Sequence, residues 1–285
     1  MNAPTHDIAW IDGGVSHVGT DRPEIPRDGE APPRRVRLRP YGMSRTTVTN
    51  AQFAAFVEAT GYVSQAHQIG WSFVFRGLLP DADGPQPPGL PWWSGLCGAT
   101  WDQPLGSGSS WTMKADHPVV HVSLTDAMAY SKWAGGRLPS EAEWEHAARG
   151  GAEAKRYPWG DAEPDDDTVF CNIWQGQFPS NNTVADGFYG TSPAQCFTPN
   201  AFGIYNMSGN VWEWCSDRFR VRSLSKDAKA RNQAAKQENE RVLKGGSFLC
   251  HASYCWRYRI AARSGRAADT AASHVSFRVA FDGSH

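Results

Sequence analysis

No stretch of this 285-residue chain approaches the roughly 20 consecutive apolar residues of a membrane span, and we expect no membrane partner. Charge of one sign is not in excess either. The 28 Lys and Arg face 29 Asp and Glu, for a formal net charge of −1, which gives no global reason to bind nucleic acid. The start, Met1 to Trp10, lacks the basic opening and apolar run of a signal peptide, so the expected location is cytoplasmic. A fixed-period repeat and a clear linker are both missing, which favours one domain of a size that can bury a core. Cysteine is sparse: Cys97, Cys171, Cys196, Cys215, Cys250 and Cys255. In a secreted chain these could pair, whereas in a reducing compartment they act as free thiols, ligands or catalysts.

What the chain has in quantity is Trp (13), Gly (28) and Pro (19). Irregular backbone held by large aromatics explains that combination, because loops need bulky anchors. Arg35-Val-Arg-Leu-Arg39 alternates basic and apolar residues and predicts a half-buried strand. Thr49-Asn-Ala-Gln52 is a capping-box pattern, with Phe53, Phe56 and Val57 on one helical face and a stop at Gly61. Ser123-Leu-Thr-Asp126 caps a second helix, and Ser140-Glu-Ala-Glu143 a third that ends at Gly150-Gly151. The region 62–115, with its Pro- and Gly-rich stretch from Pro80 to Pro91, predicts a long ordered loop. Residues from about 221 to 241 are highly charged and predict an exposed, mobile loop.

The strongest chemical signal is Gly245-Gly-Ser-Phe-Leu-Cys250-His-Ala-Ser-Tyr-Cys255. Two thiols in one short segment suit a soft cation such as Cu(I), which accepts two thiolates, whereas structural zinc wants four ligands. Spacing alone favours the plainer reading, two buried structural cysteines or a disulfide. Asn172 to Gly176, Asp186 to Phe188 and Asn206 to Trp214 gather amide and carboxylate oxygens of the type that Ca²⁺ takes, but the residues alone favour plain turn chemistry. Ser247 with His251 lacks an orienting acid. The alternation Cys255-Trp-Arg-Tyr-Arg259 reads as a half-buried strand, and Glu141, Glu143 and Glu145 as a solvated helix start.

Together these segments resemble the formylglycine-generating enzyme family. The resemblance rests on Gly136-Arg-Leu-Pro-Ser-Glu-Ala-Glu-Trp-Glu145, Tyr157-Pro-Trp-Gly160, Phe202-Gly-Ile-Tyr-Asn-Met-Ser-Gly-Asn-Val-Trp-Glu-Trp214 and Lys244-Gly-Gly-Ser247. It implies a single-domain α+β fold over residues 8–282, similar to C-type lectins, with little regular structure and a short tail of residues 1–7. It implies Cu(I) on Cys250 and Cys255, and an oxygen pocket near Ser247 and Trp212. It implies Ca²⁺ in two sets: Asn172, Ile173, Asp186 and Phe188, and Asn206, Gly209, Val211 and Glu213. Trp71, Ser72, Tyr254, Trp256 and His274 would border the substrate groove. The implied reaction turns a cysteine in a Cys-x-Pro-x-Arg segment of a sulfatase into formylglycine, consuming O₂ and a reductant. The expected partner is thus a cysteine-bearing peptide or protein, and the expected state is a monomer.

This chain departs from the family pattern at several places. Trp71 stands where the groove has Asp, Trp256 follows the second cysteine, and His274 replaces an Asn. The stretch Ser264-Gly-Arg-Ala-Ala-Asp269 replaces Ser-x-Asn-Thr-Pro-Asp, and Ile260 and Val279 occupy positions that are Cys in secreted relatives. Two alternatives follow: a copper-dependent oxidase of a different peptide or small-molecule thiol with a remodelled groove, or a non-catalytic binding relative.

Overall fold

The computed structural model describes residues 6–79, 85–152, 154–165 and 167–283. Residues 1–5 of the expected tail and 80–84 of the Pro- and Gly-rich stretch lie outside the described residues. In chain order the elements are β1 (Ile8–Ile11), β2 (Gly14–Val18), β3 (Arg34–Leu38), β4 (Tyr41–Ser44), α1 (Asn50–Thr60), α2 (Gln65–Ile69), β5 (Trp71–Phe75) and β6 (Trp93–Cys97). Then come α3 (Leu124–Trp133), α4 (Glu141–Arg149), β7 (Gly176–Gln177), β8 (Asn181–Asn182), β9 (Trp212–Arg218), α5 (Lys226–Gln237), β10 (Glu240–Lys244), β11 (Ser264–Ala267), β12 (Val275–Ser276) and β13 (Ala280–Asp282). Helices hold 21% of the chain and strands 22%, so this α+β fold is mostly irregular backbone.

The capping boxes act as the sequence predicts. The Thr49, Ser123 and Ser140 hydroxyls each accept from the N3 backbone N–H, and the N3 side chains Gln52, Asp126 and Glu143 accept in return. Gly61 and Gly150 close α1 and α4 in the left-handed conformation, which costs glycine nothing. β3 alternates half-buried and exposed residues against β2.

Two sheets carry the frame. In the first, the chain-terminal strands β1 and β13 flank β4 antiparallel, which ties the two ends of the fold together. The second runs β11-β10-β9-β12, with β12 parallel to β9. A large aromatic core joins α1, α3 and β9: Phe53 stacks on Tyr130 at 5.8 Å, and Phe277 meets Tyr130 edge-on at 5.4 Å. Such pairs add to the area each ring buries.

Four sequence expectations need correction. The region 62–115 is not one loop: it contains α2 and the β5–β6 hairpin, paired from Trp71↔Cys97 to Phe75↔Trp93. The stretch near 221–241 is not a mobile loop, because α5 occupies its middle. The Ser225 hydroxyl accepts from Ala228 N–H to cap that helix, Ala228 and Ala235 are buried, and Asn232 exchanges two hydrogen bonds with the Val221 backbone. Residues 255–259 form no strand, since Trp256 adopts a positive φ of 43°. The acidic start of α4 is not solvated either. Glu141 pairs with Arg263 at 2.7 Å, and Glu145 bonds Lys244 at 2.8 Å and Arg149 at 3.0 Å, with Lys244 and Glu145 fully buried. A buried charge survives only when paired.

Candidate active site

β10 ends at Lys244, and the two glycines after it turn the chain under the sheet, both at positive φ. A Cβ on Gly246 would meet the Tyr258 backbone at 3.0 Å, so only glycine allows this close approach. The turn delivers Ser247 and Cys250. The Cys250 N–H donates to the Ser247 carbonyl at 2.8 Å, and the Trp174 N–H donates to the Cys250 carbonyl at 3.0 Å. The chain then wraps around one acceptor. Tyr254, Cys255 and Trp256 all donate their N–H groups to the His251 carbonyl, at 3.0, 2.9 and 3.0 Å. That wrap brings the Cys250 and Cys255 sulfurs to 2.7 Å, with the Cys250 thiol donating.

Both cysteines are buried and neither forms a disulfide. Burial pushes the Cys250 thiol well up, and its hydrogen bond to Cys255 pushes further in that direction. Burial also opposes ionisation of Cys255. There, however, the Cys250 donor and the Arg257 guanidinium, 3.8 Å from the sulfur, win and bring the thiol down to about 7. Arg257 is itself held by Asp28 at 2.5 Å. The pair therefore carries one thiolate near neutral pH, which is the nucleophilic and metal-binding form.

The pair lines a cleft of about 740 Å³. Four further residues that the resemblance singles out also line it: Ser247, Trp212, Tyr254 and His274. β9 supplies Trp212, and His274 immediately precedes the parallel β12, the Trp212 N–H donating to the His274 carbonyl at 2.8 Å. The His274 ring packs on Trp93 at 4.6 Å, and its Nδ1 is buried with no partner. Burial, with Arg266 and His121 nearby, drives its pKa down to about 3, so the ring is neutral at ordinary pH. Tyr254 stacks on Phe178 at 4.1 Å and accepts a hydrogen bond from Trp92 at 3.0 Å.

Three expected groove residues do not line the cleft. Trp71 and Phe73 share one face of β5 and meet edge-on at 4.9 Å, yet Phe73 lines the cleft while Trp71, at the strand's start, is more than a third exposed; Ser72, on the opposite face, is buried and its hydroxyl bonds His121 at 2.8 Å. Trp256 faces elsewhere, between Arg156 at 4.7 Å and Arg259 at 5.4 Å, and its Nε1–H donates to Glu163. Of the three aromatic departures, only His274 touches the cleft. Sequence reasoning missed Phe73, Trp93, Arg27, Arg231, Arg257 and Arg266 as lining residues. The β5 alternation was the one signal that could have found Phe73.

The two oxygen-rich sets differ in their fit to a cation. Asn172 Oδ1 and Asp186 Oδ2 are buried acceptors without a hydrogen-bond donor, and burial pushes the Asp186 carboxyl up. Unmatched acceptors of this kind suit Ca²⁺. Ile173 and Phe188 belong to the same segments, and the Phe188 N–H donates to Asp186 Oδ1 at 2.8 Å. In the second set both carboxylate oxygens of Glu213 are taken. Arg278 binds them at 2.6 Å each, and Trp144 donates at 2.7 Å. A guanidinium there does the work of a cation and repels a second one. Asn206 spends its amide on the Pro193 and Ala194 carbonyls, while Gly209 sits at positive φ against the Asn172 carbonyl, with buried Val211 beyond it. As the side chains stand, Glu213 does not fit the ligand role expected of it. Among the described residues no group of three or more His, Cys, Asp or Glu gathers around a metal-sized site.

This frame and its paired-thiol cleft define a protein of the sulfatase-modifying class, and the sulfatase-modifying factor enzyme 1-like domain matches residues 1–283. The chain is 49% identical to the formylglycine-generating enzyme of Thermomonospora curvata over 95% of its length and 92% of that protein's. It is 45% identical to the Bos taurus enzyme of that name, over 98% and 76%. The chain belongs to the formylglycine-generating enzyme family. Within reach of the same comparison is an inactive Bos taurus relative, 40% identical over 98% of this chain and 89% of that protein. PvdO from Pseudomonas aeruginosa shares the fold, with a TM-score of 0.65 at 22% identity over 96% of this chain and 93% of that one.

Proposed function

We propose that this chain oxidises a cysteine side chain of a sulfatase polypeptide to Cα-formylglycine. Overall, the thiol, O₂, two electrons from a reductant and two protons give the aldehyde, hydrogen sulfide and water. The observation that carries the reading is the Cys250–Cys255 pair, 2.7 Å apart in the cleft with one thiol acidified. Family membership alone does not decide activity, since an inactive relative is 40% identical.

Two facing thiols, one ionised near neutral pH, match the donor set that Cu(I) prefers, so Cys250 and Cys255 would hold it. Copper bound there supplies O₂ activation and a place for the substrate thiolate. The protein's own groups do the rest. Arg257 favours the ionised form of Cys255, and Trp212 and Trp93 line the same cleft as the thiols. Ser247 is a buried residue that lines the same cleft as the pair, and neutral His274 offers a hydrogen bond without adding charge. Phe73 and Tyr254 form apolar walls for a peptide. For calcium, we propose the Asn172–Asp186 set, supported by its two orphaned acceptors.

The test is mass spectrometry of a Cys-x-Pro-x-Arg peptide after incubation with the Cu(I)-loaded protein, a reductant and air. The expected result is thiol-to-aldehyde conversion, lost by at least about 100-fold in Cys250→Ala and Cys255→Ala, together with loss of Cu(I) binding. A copper-loaded protein that converts none of the peptide overturns the reading.

A further inference from the structure

The cleft is charged in a way that its cysteines do not require. Among the described residues four arginines line it, Arg27, Arg231, Arg257 and Arg266, against one carboxylate, Asp28. Two of the four are already matched. Arg257 pairs with Asp28, and Arg231 pairs with Glu240 at 2.5 Å while lying over the Phe219 ring at 4.4 Å. Arg27 and Arg266 have no carboxylate partner among the described residues, and both are exposed.

Arg266 stands at the working part of the cleft. Its backbone is fixed by β11, paired Arg241↔Arg266 with β10, and among the described residues its guanidinium donates only to the Gly265 carbonyl at 3.0 Å. Its charge reaches Tyr254, where it offsets part of the upward push of burial. It also reaches His274, where it adds to the downward push of burial. A peptide whose thiol sits at the cysteine pair would pass this guanidinium. The charge is introduced within Ser264–Asp269, one of the places where this chain departs from its family's pattern.

We infer that Arg266, with Arg27, selects cysteine peptides that carry an Asp or Glu side chain close to the target cysteine. The inference rests on the oxidase reading and adds to it the substrate class. A guanidinium on a concave wall offers a carboxylate two parallel N–H donors, and the cleft focuses its field. A Lys or Arg at the same substrate position meets repulsion instead. His274 contributes an uncharged, unpartnered Nδ1 beside the same wall, which suits a backbone or amide contact and leaves the arginines uncompensated.

The experiment scans a single Glu, then a single Lys, through the variable and flanking positions of a Cys-x-Pro-x-Arg peptide. It measures binding to the metal-free protein by fluorescence anisotropy and conversion by the copper-loaded protein by mass spectrometry. At one or more positions near the cysteine, Glu should bind about fivefold more tightly than Gln and Lys more weakly, which is the size of one exposed charge pair. The Glu preference should shrink at raised salt and disappear in Arg266→Gln. Arg27→Gln, on a separate element, should reduce it by a smaller factor, and serves if Arg266→Gln fails to fold. Conversion without any Glu preference, or a preference intact in both variants, overturns the inference. Glu-selective binding with no conversion of any peptide overturns the oxidase reading while leaving the selectivity in place.

Discussion

At the scale of single residues, the site depends on one carbonyl oxygen. His251 accepts three N–H groups, and that local wrap sets the distance between two sulfurs five residues apart. The second control is Arg257, which stands between Cys255 and Asp28. Its charge favours the thiolate, so the ionised fraction of Cys255 rises with pH and levels off above about 7. An ordinary cysteine does so near about 8.5. We expect the alkylation rate of Cys255 in the metal-free protein, followed by peptide mapping, to show that low midpoint. In Arg257→Gln the midpoint should move up toward the ordinary value. A midpoint that stays near 7 would assign the acidity to something other than the guanidinium. Sequence spacing could not reach this result, because Arg257 gains its effect only where Asp28, more than 200 positions away, fixes its fork.

At the scale of elements, α4 is the clearest case of local sequence and tertiary context diverging. Its start, stop and capping box are all legible from Ser140, Glu143 and Gly150. Its acidic residues read as solvated, yet Glu145 sits buried between Arg149 on its own helix and Lys244 on β10. The Glu145–Lys244 partners are 99 positions apart, so no window on the helix contains the evidence. Replacing Lys244 by Met leaves the Glu145 carboxylate with one cation fewer in a dry site. We expect a loss of about 3–5 kcal/mol in urea unfolding, with Glu145→Gln in the same background recovering part of it. If Lys244→Met unfolds at the wild-type midpoint, the buried pair is not what ties α4 to the second sheet. Helix α5 was missed for the opposite reason. Its buried face is made of Ala228 and Ala235, too small to register as an apolar stripe among charges. The Ser225 cap and the run of strong helix formers were the available signals.

At the scale of the whole molecule, most of the chain is irregular backbone, and its loops bury oxygens that need a donor or a cation. Where Arg278 closes Glu213, that role is filled by the chain itself. Where Asn172 and Asp186 are left with bare acceptors, we expect an added cation to fill it. Ca²⁺ at about 100 times its dissociation constant would then add about 2.7 kcal/mol to the native state. The expected observation is a rise of several degrees in Tm on adding Ca²⁺ to chelator-treated protein, absent in Asp186→Asn and retained in Cys250→Ala. No shift in the wild-type protein would remove calcium from this set.

The sequence by itself determined the local grammar of this protein. Its capping boxes fixed where α1, α3 and α4 begin, and alternation set β3. The motif framework from Gly136 to Ser247 placed the chain in its family, because each of those signals lies within one short window. Tertiary structure alone decided which residues share the cleft. It brought Phe73 in and left Trp71 and Trp256 out, and it lined the wall with Arg27 and Arg266. It also paired the buried charges and made a thiolate of one cysteine in the pair. Burial, pairing and pKa are properties of a neighbourhood, and here the neighbours come from β strands and loops far apart along the chain.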